Sequence, residues 1–450
     1  APVLYGFREK YDEPWSSPWT TDEETLSSVS SAPVIPWVEL NTAIAEICAK
    51  TGDRGPWEAA SSERRSDELL QAMGLKGRVL AMAFTSAAAS IYLISSDRYE
   101  RIDLPMQQVF DLSAKFAMHK AGMESAQNFR ESLTIFTDDL TGLLLEPLDR
   151  ACASGLDSLI LLPEPIFFPV MASVTAHAGV RSLMGTGRLS IRTCPIVHTG
   201  RIRDGQLRTI SACDVDNDIL KLNHAELANI ARILAPAKTV RNTLSSKSAT
   251  RSLFENDVLH IAAHGTPISN LRDAFFSHAS GSQPLSNFYG LQWRATQSRS
   301  QVVFLNSCFS ADTLNWNAME GFRTSEQIGL SSMFLLNRMA AVIATAWGTF
   351  DSAAYIFAQL FYIAIADKMD VEIAFAKASA ALHDMDVAAV RNSLETVAPI
   401  ELGQEKQALF RGSGLPFSHP YVVGNYQLLC LLPPAKSDKM SSETALARES

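Results

Sequence analysis

Apolar and polar positions follow no regular period over residues 1–35, where Ser, Thr, Pro, Trp and acidic residues crowd together (YDEPWSSPWTTDEETLSSVSSAP). That stretch predicts a loop or a partner-bound arm. Two short helical patterns come next. PWVELNTAIAEICAK sets Leu40, Ile44 and Ile47 on one face, and SSERRSDELLQAMG stops at Gly74. From Arg78 the pattern changes to strands: RVLAMAF and IYLISSDRYERIDLP, joined by a turn of small residues. Residues 106–120 and 126–151 are helical by period. SLILLPEPIFFP starts as a continuous apolar strand, VMASVTAHAGV reads as helix and GRLSIRTCPIV returns to strand.

Further on, LNHAELANIARIL places Asn223 as an N-cap with Glu226 three residues later, a capping-box spacing, and gathers Leu227, Ile230, Ala231 and Leu234 on one face. SATRSLFEN predicts a short helix and Val258–Ala262 a buried strand. The Ser/Gly/Asn-rich stretch 266–300 reads mostly as loop, long enough to suggest function or disorder. QVVFLNSC is the next apolar strand, SEQIGLSSMFLLNR a helix and MAAVIATAW a strand. Helices follow near 351–368 and 371–385, and the tail PPAKSDKMSSETALARES is expected to be disordered. Strand and helix thus alternate from Ser158 onward, which predicts an α/β fold: a mostly parallel sheet with helices on both faces. No repeat of 20–50 residues is visible, so no solenoid is expected.

Composition narrows the function more than the fold. Of 450 residues, 47% are hydrophobic and 19% charged, enough to bury a large core. A formal net charge of −9 with no long Lys/Arg block leaves nucleic-acid binding without electrostatic support, but suits a basic peptide or protein partner. The six cysteines are scattered without a CxxC pair. That argues against a zinc ribbon or a disulfide scaffold and for a reducing cytoplasm. No apolar run approaches the roughly 18 residues of a membrane span. The chain begins at Ala1 with no signal-peptide pattern, and is expected to have been cut from something longer.

Two stretches carry candidate chemistry. DVLHIAAHGTP holds His260 and His264 four apart, but the pair lacks the helix and the adjacent Glu of a zinc motif. His260 reads as a hydrogen-bonded core histidine. His264 falls just past the strand, beside Gly265, where open α/β sheets bind ligands. In QVVFLNSCFSAD, Cys308 also falls just past a strand. If the two strands are neighbours, about 4.8 Å apart, their exits bring a thiol nucleophile and an imidazole acid/base together. The other reading of Cys308 is a small buried hydrophobe, as expected for the remaining cysteines.

These blocks, in this order, resemble a CHAT domain, a caspase-like peptidase module often linked to tetratricopeptide (TPR) repeats. The resemblance runs over about residues 75–432. It rests on LTGLLLEPLDRACASGLDSLILLPEPIFFPVMAS, VLHIAAHG, VVFLNSCFSA, GLSSMFLLNRMAAVIATAWGTFDSAA and HPYVVGNYQLL. It implies a caspase-like sheet in two halves: a non-catalytic half at 75–204 and a half at 205–432 holding the dyad His264 and Cys308. Residues 1–74 are then the possible remnant of an upstream module, and 433–450 a tail.

The resemblance further implies a cysteine endopeptidase that cuts a protein substrate. An activating protein or TPR-type module is implied, and no cofactor or metal is needed. The N–H groups of Gly265 and Cys308 are expected to form the oxyanion hole, although Gly265 also suits a plain strand-ending turn. Asp351 falls where basic-specific relatives carry a pocket acid, and equally where it could cap a helix starting at Ser352. Asn306 is placed with Asp351 among the residues expected to contact substrate. Phe309, Ser310 and Ala311 depart from the acidic or amide residue and nearby glycine usual in the family, which puts the pocket's shape in question. The alternative function is an idle caspase-like scaffold that binds a protein partner through the same groove.

Overall fold

The computed structural model describes residues 78–85, 90–95, 99–120, 123, 125–162, 170–194, 209–214, 222–234, 238–243, 256–265, 275–278, 281–284, 302–311, 313–314, 328–329, 331, 334–335, 341–395 and 414–430. The arm, the helices expected before Gly74, the helix of SATRSLFEN and the tail lie outside these residues.

The described chain opens with strands β1 (Val79–Thr85), β2 (Ser90–Ile94) and β3 (Tyr99–Asp103). The apolar–polar run after Ser90 is therefore two strands, which pair antiparallel. Helices α1 (Met106–Lys120) and α2 (Ala126–Ala153) follow. Ser125 caps α2 by accepting from the Asn128 N–H at 3.2 Å. Then come β4 (Ser158–Leu162), α3 (Val170–Ala176), α4 (Ala178–Gly185) and β5 (Ser190–Thr193).

The second stretch begins with β6 (Thr209–Asp214), α5 (Asn223–Ile233), β7 (Lys238–Thr243) and β8 (Val258–Ala262). Short strands β9 (His264–Gly265), β10 (Phe275–His278) and β11 (Gly281–Pro284) form a small sheet of their own. Strand β12 (Val302–Asn306) precedes β13 (Thr313–Leu314), β14 (Ile328–Gly329) and β15 (Ala341–Thr345). Helices α6 (Asp351–Ala366), α7 (Val371–Asp384), α8 (Val387–Glu395) and α9 (Pro420–Val423) lead to the closing strand β16 (Tyr426–Cys430).

Eleven strands make one mixed, mostly parallel sheet in the order β3-β2-β1-β4-β5-β16-β15-β12-β8-β6-β7. Strands β1, β4, β5 and β16 run parallel to one another, and so do β15, β12, β8, β6 and β7. The two blocks meet at β15 and β16, which are antiparallel. The carboxyl ends of the blocks therefore face opposite edges of the sheet. Every residue of β8, β12, β15 and β16 is buried, so both faces of the centre are covered, as a parallel sheet requires.

The sequence patterns need four corrections. Ile328 and Gly329, expected in a helix, pair with Leu314 and Thr313 in a ladder. The stretch after Gly265, read mostly as loop, contains the β10–β11 hairpin. A helix beyond 385, α8, had no prediction. The capping box is absent: Leu222 holds the cap position, and Asn223 and Glu226 lie inside the helix with their side chains spent elsewhere.

Candidate functional site

Parallel pairing of β8 with β12 matches Val258 to Val302 and continues to Ala262 opposite Asn306. The strands are neighbours, the condition on which the dyad depends. His264 and Cys308 each lie two residues beyond the last pair of that ladder, at the same end of the two neighbouring strands. The Ala263 N–H extends the contact by donating to the Asn306 carbonyl at 3.3 Å. The His264 backbone is then captured by β10, pairing with Ser277. Its imidazole lies outside the described part of the structure.

Gly265 reports how tightly these exits meet. A Cβ built on it would fall 1.9 Å from the Cys308 carbonyl oxygen and 2.4 Å from Ser307 Oγ. No side chain fits in that space. The glycine lets one strand exit rest against the backbone of the nucleophile candidate.

Cys308 sits in a turn pinned on all sides. Phe309 N–H donates to the Trp347 carbonyl at 3.2 Å, and Ala311 N–H to the Thr345 carbonyl at 2.8 Å. Thr345 Oγ1 donates to the Ser307 carbonyl at 2.5 Å. Ser310 Oγ donates to Leu305 O and accepts from the Thr345 N–H at 2.9 Å. Phe309 takes φ of 57°, a left-handed conformation that bulky residues rarely adopt. The surrounding bonds over-determine that turn, which holds the strain in place.

The sulfur faces the loop after β15. Thr349 N–H points at Cys308 Sγ at 3.4 Å, and Thr349 Oγ1 meets the Tyr426 hydroxyl at 3.3 Å. Asn425 holds that loop by accepting from the Trp347 N–H and donating to the Gly348 carbonyl. Burial pushes the Cys308 thiol above the ordinary range. The Thr349 N–H pulls it down and the nearby Asp351 carboxylate pushes it further up. Burial also pushes the Tyr421 hydroxyl, beside this loop, to about 12.

Helices α1 and α2 lie directly beside this loop. Phe129 of α2 packs edge-on against Trp347 (5.8 Å between centroids) and Tyr421 (6.1 Å). Arg130 lies over the rings of Phe350 and Tyr421 at 4.9 and 4.6 Å. His119 of α1 stacks on Phe129 and lies 6.1 Å from the ring of Phe309.

Two expectations for single residues change. Asp351 is the first residue of α6, with Phe350 at the cap position, so it does not cap a helix starting at Ser352. It stays half-buried near the sulfur. Asn306 is buried and gives its amide to Glu226, with Nδ2 at 2.7 and 2.9 Å from the two carboxylate oxygens. Its amide nitrogen thus faces the buried Glu226 carboxylate. His260 is a fully buried histidine whose nitrogens meet Glu226 Oε1 at 2.7 Å and the Tyr362 hydroxyl at 3.1 Å. Both ring nitrogens are used, which leaves neither for a metal. Sequence reasoning missed Glu226 as the group that joins them. The signal was available: polar His260 and Asn306 inside apolar strands demand a buried partner.

A model of the CHAT domain family matches residues 206–422. No curated protein matches the chain. Among solved structures, the chain is similar to chains of the Saccharomyces cerevisiae separase–securin complex. One, at 13% identity and a TM-score of 0.36, aligns over 61% of this chain and 15% of that one. Another, at 9% identity and a TM-score of 0.46, aligns over 82% and 31%. The Arg-specific cysteine proteinase gingipain R (RgpB) aligns over 67% of both chains at 9% identity and a TM-score of 0.38. The chain spans less than a third of the yeast chains it matches.

Proposed function

We propose, from the premise that residues 206–422 form a CHAT domain, that the chain is a cysteine endopeptidase cleaving a specific protein partner. One observation carries the reading. β8 and β12 are parallel neighbours whose ladder ends two residues before His264 and Cys308, and Gly265 rests so closely on Cys308 that no Cβ fits between them, which supports the pairing.

In this reading the Cys308 thiolate attacks the scissile carbonyl and forms a C–S bond. His264 takes the thiol proton and returns it to the departing amine as the C–N bond breaks. Water then hydrolyses the acyl-enzyme. The N–H groups of Gly265 and Cys308 stabilise the oxyanion, each such donor being worth about 3 kcal/mol of barrier. Asp351, half-buried beside the sulfur at the start of α6, receives a basic substrate side chain.

Activation by a partner or an upstream TPR-type module fits the electrostatics. Burial and the Asp351 carboxylate both push the Cys308 thiol up, which disfavours the reactive thiolate and is consistent with low basal turnover. The described free thiols Cys152, Cys194, Cys308 and Cys430 support a reducing, cytoplasmic setting. Among the described residues, no helix is long and apolar enough to cross a membrane.

The experiment compares protein termini in cells carrying the native chain or its Cys308→Ala variant. New termini that depend on Cys308 identify the substrate and the cleaved bond. Identical termini, together with a partner retained by both forms, would establish the idle scaffold instead.

A further inference from the structure

We propose that Asn223 and Glu226, in the first turn of α5, are positioning residues that align the strand exits carrying His264 and Cys308. This inference deepens the dyad reading above and rests on it. Asn223 Nδ2 donates to the Ala262 carbonyl at 3.2 Å, two residues before His264. Three residues further along the helix, both oxygens of Glu226 accept from Asn306 Nδ2, two residues before Cys308. A single helical turn therefore grips both exits, each at the same distance in sequence from its reactive residue.

The grip sits where the sheet stops providing one. Ladder pairing of β8 with β12 ends at Ala262 and Asn306. Past that point, side-chain bonds must set how the exits lie relative to each other. The Glu226 carboxylate also meets His260 Nε2 at 2.7 Å, and His260 Nδ1 meets the Tyr362 hydroxyl of α6 at 3.1 Å. Lower on α5, Asn229 Nδ2 donates to the Tyr355 hydroxyl at 3.1 Å. Helix α6 begins at Asp351, two residues after the Thr349 N–H that faces the sulfur. The turn thus references both reactive residues and the loop opposite them to one rigid element.

The cost of this arrangement argues for its use. Glu226 is 3% exposed, His260 0%, Asn306 7% and Asn223 8%. A carboxylate at such a site is expensive to desolvate, and apolar residues of similar volume would hold the layers together at least as well. They would not fix the exits directionally, as a carboxylate with three hydrogen-bond contacts does.

The test uses the full chain and iodoacetamide. The alkylation rate of Cys308 is read by peptide mass spectrometry, with Cys152 as reference in the same chain. Variants are Asn223→Ala, Glu226→Gln and the pair Glu226→Gln/Asn306→Asp, which exchanges donor and acceptor across the bond. Each is assayed below its melting temperature, alone and combined with His264→Ala. Both single variants should slow Cys308 by about tenfold or more while Cys152 keeps its rate. The exchanged pair should recover much of the loss. With His264→Ala present, Glu226→Gln should add nothing further, because both act through the same dyad.

A lower melting temperature with wild-type Cys308 reactivity would overturn the proposal, since the clamp would then be structural only. So would effects that simply add to that of His264→Ala. If Glu226→Gln does not fold, Asn223→Ala decides by the same criteria. Wild-type Cys308 reactivity in His264→Ala alone is a separate result: it would end the dyad reading itself, and the positioning role with it.

Discussion

Replacing Gly265 by alanine separates the cost to the fold from the cost to the chemistry. The new Cβ would lie 1.9 Å from the Cys308 carbonyl oxygen, and bringing that contact out to 3.0 Å requires a displacement of about 1.1 Å. Cys308 does not yield easily, because Ser307, Phe309, Ser310 and Ala311 are each bonded to their surroundings. The β9 side moves instead, and its backbone pairing with β10 carries His264 along. Overpacking of this kind costs about 1–3 kcal/mol of stability. A misplacement near 1 Å between reacting groups costs about 100-fold in rate. Gly265→Ala should therefore stay folded with a modest loss in urea denaturation, and lose about two orders of magnitude in labelling of Cys308 by a peptide electrophile. A wild-type labelling rate in a variant with lowered stability would refute the reasoning, because the two exits would then not share the cleft.

Other expectations follow from single contacts. Ser310→Ala leaves the buried Thr345 N–H without its acceptor and should cost about 1–3 kcal/mol in chemical denaturation. Phe129→Ala removes a ring only 1% exposed that packs on Trp347 and Tyr421, and should cost about 3–5 kcal/mol. The variant should also raise the hydrogen exchange of the loop at Trp347–Thr349. In the isolated chain, the Cys308 thiol is held above the ordinary range by burial and then by Asp351. The pH profile of its alkylation reports that balance. Asp351→Asn removes a charge that opposes the thiolate, so that profile should move to lower pH, and a move to higher pH would contradict the assignment.

Much of the centre was legible because it is predominantly apolar. β8, β12 and β15 are runs that only burial on both faces explains, and they fall where the pattern put them. Strand adjacency and direction were not legible. Nothing in VLHIA or VVFLN says that the two strands are neighbours, or that β16 turns the sheet's direction against β15. The capping-box spacing at Asn223 and Glu226 misled because a local motif and a buried network can have the same spacing. Only the tertiary partners Ala262 and Asn306 tell them apart. The β10–β11 hairpin was hidden because FFSH and GSQP are only four residues each and neither alternates apolar with polar positions.

The central claim is that His264 and Cys308 act as one chemical unit. The most direct measurement is the rate at which an electrophilic peptide forms an adduct with Cys308, followed by intact mass, in wild type and in His264→Ala. The account predicts a fall of about 100-fold or more when the imidazole is removed, the scale of a lost acid–base partner. Equal rates would mean that the sulfur reacts without the histidine.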